Sequence, residues 1–169
     1  MDIIETARLR LRRPTLDDAD FMLELLNDPG FLEHIGDRGV RDLGAARAYV
    51  GTAVLGSYER HGYGMRVVEV RASGERAGLC GLVRRDWLTD TDLGYAFLPA
   101  YRSRGYAEES AAAVAADAFG RLSMQRLVAI VSPANERSMS LLGKLGFGVV
   151  GEVIAPGETK PLRLYARDA

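Results

Sequence analysis

Between Thr6 and Arg13 the chain alternates, Leu9 and Leu11 against Arg8, Arg10 and Arg12, which is the two-residue period of a half-buried strand. Pro14 ends it. Thr15 is positioned as the N-cap of a helix whose first turn carries Asp17 and Asp18, where the helix dipole favours negative charge. Phe21, Met22, Leu25 and Leu26 continue that helix to the breaker cluster Asn27-Asp28-Pro29-Gly30. Phe31 to Leu43 reads as loop or broken helix. A second helix spans about Gly44 to Arg60, marked by Ala45, Ala48, Tyr49, Thr52, Leu55 and Tyr58. Gly62-Tyr63-Gly64 leads into strands at Met65–Val70 and Ala77–Arg84, with a turn at Ala72-Ser73-Gly74-Glu75 between them.

After a polar turn at Leu88–Thr91 another strand runs from Asp92 to Leu98 and stops at Pro99. An Ala-rich helix is predicted from about Gly105 to Leu122, a strand at Arg126–Ser132 and a helix at Asn135–Leu145. Closing strands fall near Phe147–Ile154 and Leu162–Arg167. Ala111, Ala112, Ala115 and Ala118 allow the long helix to approach a sheet closely. Leu141, Leu142 and Leu145 form an apolar stripe, and Gly146 reads as a left-handed cap with Phe147 packing behind it. The order β-α-α-β-β-β-α-β-α-β-β predicts a single domain over residues 1–169. Its class is α/β (α+β), with a mixed, mostly antiparallel twisted sheet flanked by about four helices.

Composition narrows the function. With 169 residues, 47% apolar and 27% charged, the chain matches a soluble globular domain. Lys plus Arg total 22 against 23 for Asp plus Glu, so the basic excess of a nucleic-acid binder is missing and no nucleic-acid partner is expected. Only Lys144 and Lys160 are lysines. The arginine bias suits planar phosphate contacts, and it is also what a GC-rich genome encodes. Cys80 is the sole cysteine, in the apolar run Ala77-Gly-Leu-Cys-Gly-Leu-Val83, and reads as a core residue of a protein from a reducing compartment. No stretch reaches the roughly 18 continuous apolar residues of a membrane span, and Met1-Asp-Ile-Ile-Glu-Thr6 lacks a signal peptide's basic start. A cytoplasmic protein without a membrane partner is expected.

Chemistry concentrates in Tyr95-Ala-Phe-Leu-Pro-Ala-Tyr-Arg-Ser-Arg-Gly-Tyr-Ala-Glu-Glu-Ser110. A strand ends, an arginine-bearing loop follows, and a helix opens at a glycine. The first turn of a helix offers unpaired N–H groups and partial positive charge, which together bind phosphate. Gly105 and Ala107 keep the approach open, and Arg102 and Arg104 add charge beside it. The segment lacks the Lys-Ser/Thr pair of a P-loop, and no Gly-x-Gly-x-x-Gly follows a strand. An ordinary strand-to-helix turn that needs a glycine is the bland alternative.

Arg102-x-x-Gly105-x-Ala107 resembles the Gln/Arg-x-x-Gly-x-Gly/Ala signature of the GNAT superfamily of N-acetyltransferases. Asn135-x-x-Ser138-x-x-Leu-Leu-x-Lys144-Leu-Gly-Phe147 is similar to that family's following helix, and the element order from Thr6 to Arg167 agrees. Glu5-Thr-Ala-Arg-Leu-Arg-Leu-Arg-Arg-Pro14 further resembles the RimJ/RimL-type branch, which includes ribosomal-protein N-terminal acetyltransferases.

The resemblance implies acetyl-coenzyme A as acyl donor, with no metal. Its pyrophosphate would rest on Arg102, Ser103, Arg104, Gly105, Tyr106 and Ala107. A bulge or splay around Tyr95, Phe97 and Leu98 would pair with the pantetheine arm, and Asn135 would contact the coenzyme, its alternative being simply the helix N-cap. Ser138, where many members place a Tyr, is the candidate for donating a hydrogen bond or proton toward the thiolate.

The implied reaction is direct attack by a neutral primary amine, on a small molecule or a protein N-terminus, with positioning supplying much of the rate. A backbone N–H near Phe97 or Leu98 would stabilise the oxyanion. Asp92 is the leading candidate base, with a turn carboxylate as its alternative, and Glu69 and Glu152 rank below it. At pH 7 an α-amine is roughly 15–20% neutral and a lysine roughly 0.04%, so a lysine acceptor demands stronger help. Phe31, His34, Arg38, Tyr58 and Tyr63 lie on segments that line the family's acceptor groove, His34 and His61 reading otherwise as surface groups. A homodimer is a family-level expectation. The competing reading is a coenzyme-A-binding sensor or scaffold without catalysis.

Overall fold

A computed structural model describes residues 2–169. Eight strands form one sheet, β1 Ile4–Glu5, β2 Leu9–Arg12, β3 Met65–Val70, β4 Arg76–Val83, β5 Thr91–Phe97, β6 Arg126–Val131, β7 Gly148–Val153 and β8 Leu162–Asp168. Their spatial order is β1-β2-β3-β4-β5-β6-β8-β7. Every neighbouring pair is antiparallel except β5 with β6, which is parallel, so the sheet is mixed and mostly antiparallel as expected.

The helices are α1 Ala19–Leu26, α2 Pro29–His34, α3 Leu43–Tyr49, α4 Leu55–His61, α5 Tyr106–Phe119 and α6 Glu136–Lys144. Thr15 does cap the first of them, through a tight turn at Leu16–Asp18 in which the Asp18 side chain reaches back to the Thr15 amide. The stretch from Phe31 to Leu43, expected as loop or broken helix, opens with the end of α2, which begins earlier at Pro29. Asp28 accepts hydrogen bonds from the amides of Gly30 and Phe31, and Pro29 occupies the first turn, so the cluster that stops α1 also starts α2. The helix expected over 44–60 is continuous from α3 to α4 but widens into a π-turn at Val50–Val54, a run of β-branched residues and glycine with weak helix preference.

Two apolar layers enclose the sheet. On one face Val68, Cys80, Leu82, Leu93 and Phe97 pack against α5 and α6. On the other, Val67, Leu79 and Leu98 pack under α1 to α4. Ala111, Ala115 and Ala118 are buried on α5, whereas Ala112 is exposed, one position off that stripe. Gly146 adopts φ +84° and Phe147 is buried behind it, as the cap predicts.

One irregularity positions everything that follows. β4 and β5 pair from Val83↔Asp92 to Gly78↔Phe97 without interruption. β5 and β6 pair only at Thr91↔Leu127 and Asp92↔Val128. Beyond Asp92 the two strands diverge, and β6 takes β8 as its partner along its whole length. The expected distortion of β5 is therefore a splay rather than a bulge.

The register that holds β5 against β4 requires Gly78. A Cβ there would lie 2.3 Å from the Ala96 carbonyl oxygen and 2.7 Å from the Phe97 ring. Gly78→Ala should cost about 1–3 kcal/mol by overpacking, a fall in Tm of roughly 2–12 °C in thermal unfolding. An unchanged Tm would mean that β5 is free to shift.

Candidate functional site

The splay opens at the carboxyl end of β5, from which the chain passes through a single turn at Pro99–Tyr101 to the start of α5. Helix starts elsewhere in the fold are closed by side chains: Asp28 caps α2, Asp42 caps α3 and Asn135 caps α6. α1 and α4 continue preceding helical turns. α5, the longest helix, begins at Gly105 with no side-chain cap. Its first amides thus remain available to an outside acceptor, with the helix dipole behind them. Gly105 has φ +80°, a left-handed conformation that bulky residues avoid, and Ser103 has φ +60°. These two reversals lead the chain from the Pro99–Tyr101 turn into the uncapped first turn of α5.

Two arginines fix the loop from behind. Arg8 donates to the Arg104 carbonyl at 2.8 Å and to Glu109 at 2.7 Å, and its guanidinium lies 4.7 Å from the Tyr106 ring centre. Glu109 also accepts from Thr6 at 2.6 Å and from the Arg8 amide at 2.8 Å. Burial raises that carboxyl, but the hydrogen bonds from Thr6 and Arg8 outweigh it and hold it ionised below the usual carboxylate range, its charge met by the Arg8 guanidinium. Arg102 donates to the Phe97 carbonyl at 3.0 Å and pairs with the buried carboxylate of Asp28. Its guanidinium ties the end of β5 to the start of α2 through Nε and Nη2. Arg104 is exposed, 5.8 Å from the Tyr101 ring centre.

Along β5 the amides are divided. Leu98 N–H donates to Ala77 O at 2.9 Å and so cannot serve an oxyanion. Alternation along the antiparallel β4–β5 pair turns the amides of Phe97 and Tyr95 the other way, into the splay. Tyr95 reaches across to α6, its hydroxyl 2.6 Å from Ser138 Oγ. Burial raises the Tyr95 phenol to about 12. Asn135 Oδ1 accepts from the Ser138 amide at 3.2 Å, so the N-cap reading of Asn135 is realised.

Asp92 sits at the last β5–β6 pair, the closed end of the splay, and is 2% exposed. Arg85 Nε donates to its Oδ2 at 2.9 Å, while Oδ1 is buried without a protein partner. Burial pushes the carboxyl up to about 6, against the opposing pull of Arg85. A carboxylate of this kind, with one oxygen held and one unsatisfied, is suited to accepting a proton near neutral pH.

Other candidates lie elsewhere. Tyr58 is buried, its hydroxyl donating to Met65 O at 2.9 Å, so it is a core residue and lines no groove. Tyr63 and Thr91 share a hydrogen bond of 3.0 Å. Glu69 is bound to Arg12 at 2.6 Å, and Glu152 is exposed on β7. His61 is exposed, whereas His34 is half-buried with Nδ1 unpartnered. Phe31 is buried with Arg38 5.8 Å from its ring centre. Cys80 is fully buried, its thiol pushed up to about 12 by desolvation, which rules it out as a nucleophile at neutral pH. Arg8, Asp28 and Arg85 escape a sequence reading because their partners lie 96, 74 and 7 residues away. Among the described residues no cluster of three His, Cys, Asp or Glu side chains could hold a metal, and no helix is long and apolar enough to cross a membrane.

The chain is 27% identical over 149 residues to an uncharacterised N-acetyltransferase, p20, of Bacillus licheniformis, covering 87% of this chain and 83% of that protein. Its fold is similar to an acetyltransferase from Agrobacterium tumefaciens strain C58, with a TM-score of 0.84, 24% identity and coverage of 100% and 95% of the two chains. RimL, a ribosomal L7/L12 α-N-protein acetyltransferase solved in complex with coenzyme A, gives a TM-score of 0.85 at 19% identity, covering 99% of this chain and 98% of that one. Residues 8–148 match the family described as the acetyltransferase (GNAT) domain. The uncapped helix, the splayed strands and this match over most of the sequence have one meaning: the chain belongs to the GNAT acetyltransferase family.

Proposed function

We propose that this protein moves an acetyl group from acetyl-coenzyme A to a primary amine by direct attack on the thioester. The observation that carries the reading is the open start of α5 at the mouth of the β5–β6 splay. The amides from Gly105 to Ala107 fit a diphosphate. The splay leaves the inward amide of Phe97 for an amide group of a pantetheine arm, and the inward amide of Tyr95, deeper in the splay and nearer Ser138, is the candidate oxyanion donor in place of Leu98. Coenzyme A in the RimL structure supports this choice of ligand.

In the proposed reaction the amine nitrogen forms a bond to the carbonyl carbon and the C–S bond breaks. Sulfur takes the electron pair, and the proton shed by nitrogen balances it. Asp92 is the base and Ser138 the hydrogen-bond donor to the departing sulfur.

The acceptor follows from the strength of that base. With Asp92 at about 6, removing a proton from an α-ammonium near 7.7 is uphill by roughly 2 kcal/mol, and from a lysine near 10.4 by roughly 6 kcal/mol. An α-amine, on a peptide N-terminus or a small molecule, is the acceptor this site serves best. RimL, whose name specifies an α-N-protein acetyltransferase, supports the peptide form.

Release of coenzyme thiol with a panel of amines, read together with product masses, tests the reading. Acetylated α-amines are expected, and binding of acetyl-coenzyme A without thiol release above background would make the protein a sensor instead.

Asp92→Asn should lower kcat/KM by about 10²–10⁴-fold. In the unmodified protein log kcat/KM should fall with unit slope below about 7.7 as the acceptor amine protonates, steepening below about 6 as Asp92 protonates too, and Asp92→Asn should lose only the steepening. A slope that still steepens in the variant would place the base elsewhere. Gly105→Glu should weaken coenzyme A binding at least roughly tenfold in calorimetry, because a side chain strains the left-handed backbone at φ +80° and its Cβ would lie 3.1 Å from Nη2 of Arg8, whose guanidinium holds the loop. Gly105→Asn, which tolerates left-handed backbone, should bind more tightly than the Glu variant.

A further inference from the structure

Ser138 is held at several points. Its amide donates to Asn135 Oδ1, its hydroxyl oxygen lies 2.6 Å from the Tyr95 hydroxyl, and its carbonyl lies 3.4 Å from the same hydroxyl. Both acceptors within reach of the Tyr95 hydroxyl therefore belong to one residue. Tyr95 stands on β5 and Ser138 on α6, the helix that follows β6, so this contact joins β5 to the chain that leaves its diverging neighbour.

Two hydroxyls at this distance share one hydrogen, and the phenol, being the stronger acid, is the better donor. Once Tyr95 donates to Ser138 Oγ, the serine's own hydrogen points away from the ring. Without the phenol, a serine inside a helix turns its hydroxyl back to a carbonyl three or four residues earlier, here Asn135 or Ala134. The phenol thus decides whether the serine hydrogen is spent on its own helix or offered outward.

We propose that Tyr95 is a positioning residue which holds the Ser138 hydroxyl with its hydrogen turned into the β5–β6 splay, ready for the sulfur that leaves the thioester. The inference rests on the acetyl-transfer reading. Tyr95 keeps its own proton throughout. It orients the donor, and the proton shed by the attacking nitrogen still ends on sulfur. The tyrosine on β5 thereby completes a function that the serine on α6 performs at the sulfur.

The test is steady-state kinetics of Tyr95→Phe, Ser138→Ala and the double variant, with acetyl-coenzyme A affinity measured separately. Each single variant should lose at least roughly tenfold in kcat while the coenzyme Kd stays within about threefold, since the donor is needed only as charge develops on sulfur. The double variant should be no slower than the slower single one, because both substitutions remove the same interaction. Unfolding midpoints of all three distinguish a local effect from a damaged fold. Full kcat in Tyr95→Phe, losses that multiply in the double variant, or a loss confined to coenzyme affinity would each overturn the positioning role while leaving acetyl transfer standing. A wild-type protein that releases no thiol with any amine would overturn both.

Discussion

The site depends on a hydrogen-bond ladder that stops early. Two residues of parallel pairing hold β5 to β6, and then the strands part. Backbone groups inside a protein must find partners, and an unmet amide costs about as much as a lost hydrogen bond. β6 meets the demand by pairing with β8, and the inward edge of β5 does not. An extended ligand rich in amides would satisfy that edge as a further strand would, and its binding would continue the sheet by other means.

The same economy governs α5. A helix start normally takes a Ser, Thr, Asp or Asn cap, and Thr15, Asp28, Asp42 and Asn135 perform that task in this fold. Gly105 leaves α5 uncapped, and its left-handed backbone needs support from Arg8 and Arg102, neither of which is positioned to compete for the opening. Oriented amides at the start of α5 stand beside Arg8, Arg102 and Arg104, so the loop is locally positive in a chain whose net charge is −1.

Much of this was legible in the chain. Alternation at Leu9 and Leu11, the breaker cluster after Leu26 and the small stripe on α5 gave strands and helices close to their observed bounds. Gly105 and Asn135 were legible because a helix start has its own local grammar. The rest was not, for a physical reason. Whether Arg102 meets Asp28 is settled 74 residues away. Whether Leu98 or Phe97 offers its amide depends on register with β4. The Tyr95–Ser138 pair joins residues 43 apart, and no periodicity marks such a meeting. The start of α2 was not placed, although the stretch after it reads as loop or broken helix, because Asp28-Pro29 is both a strong stop and a strong start.

Arg8 draws one more consequence from the fold. It precedes the second strand, yet it secures the carbonyl of Arg104 and the carboxylate of Glu109 about a hundred residues later. Closing so large a loop is slow and entropically unfavourable, so the ligand-gripping turn gains its shape only after the sheet has gathered both ends of that span. Coenzyme affinity would accordingly gauge whether the whole molecule has come together, and loss of the Arg8 side chain, which lies outside the core, would be felt first as a loosened turn.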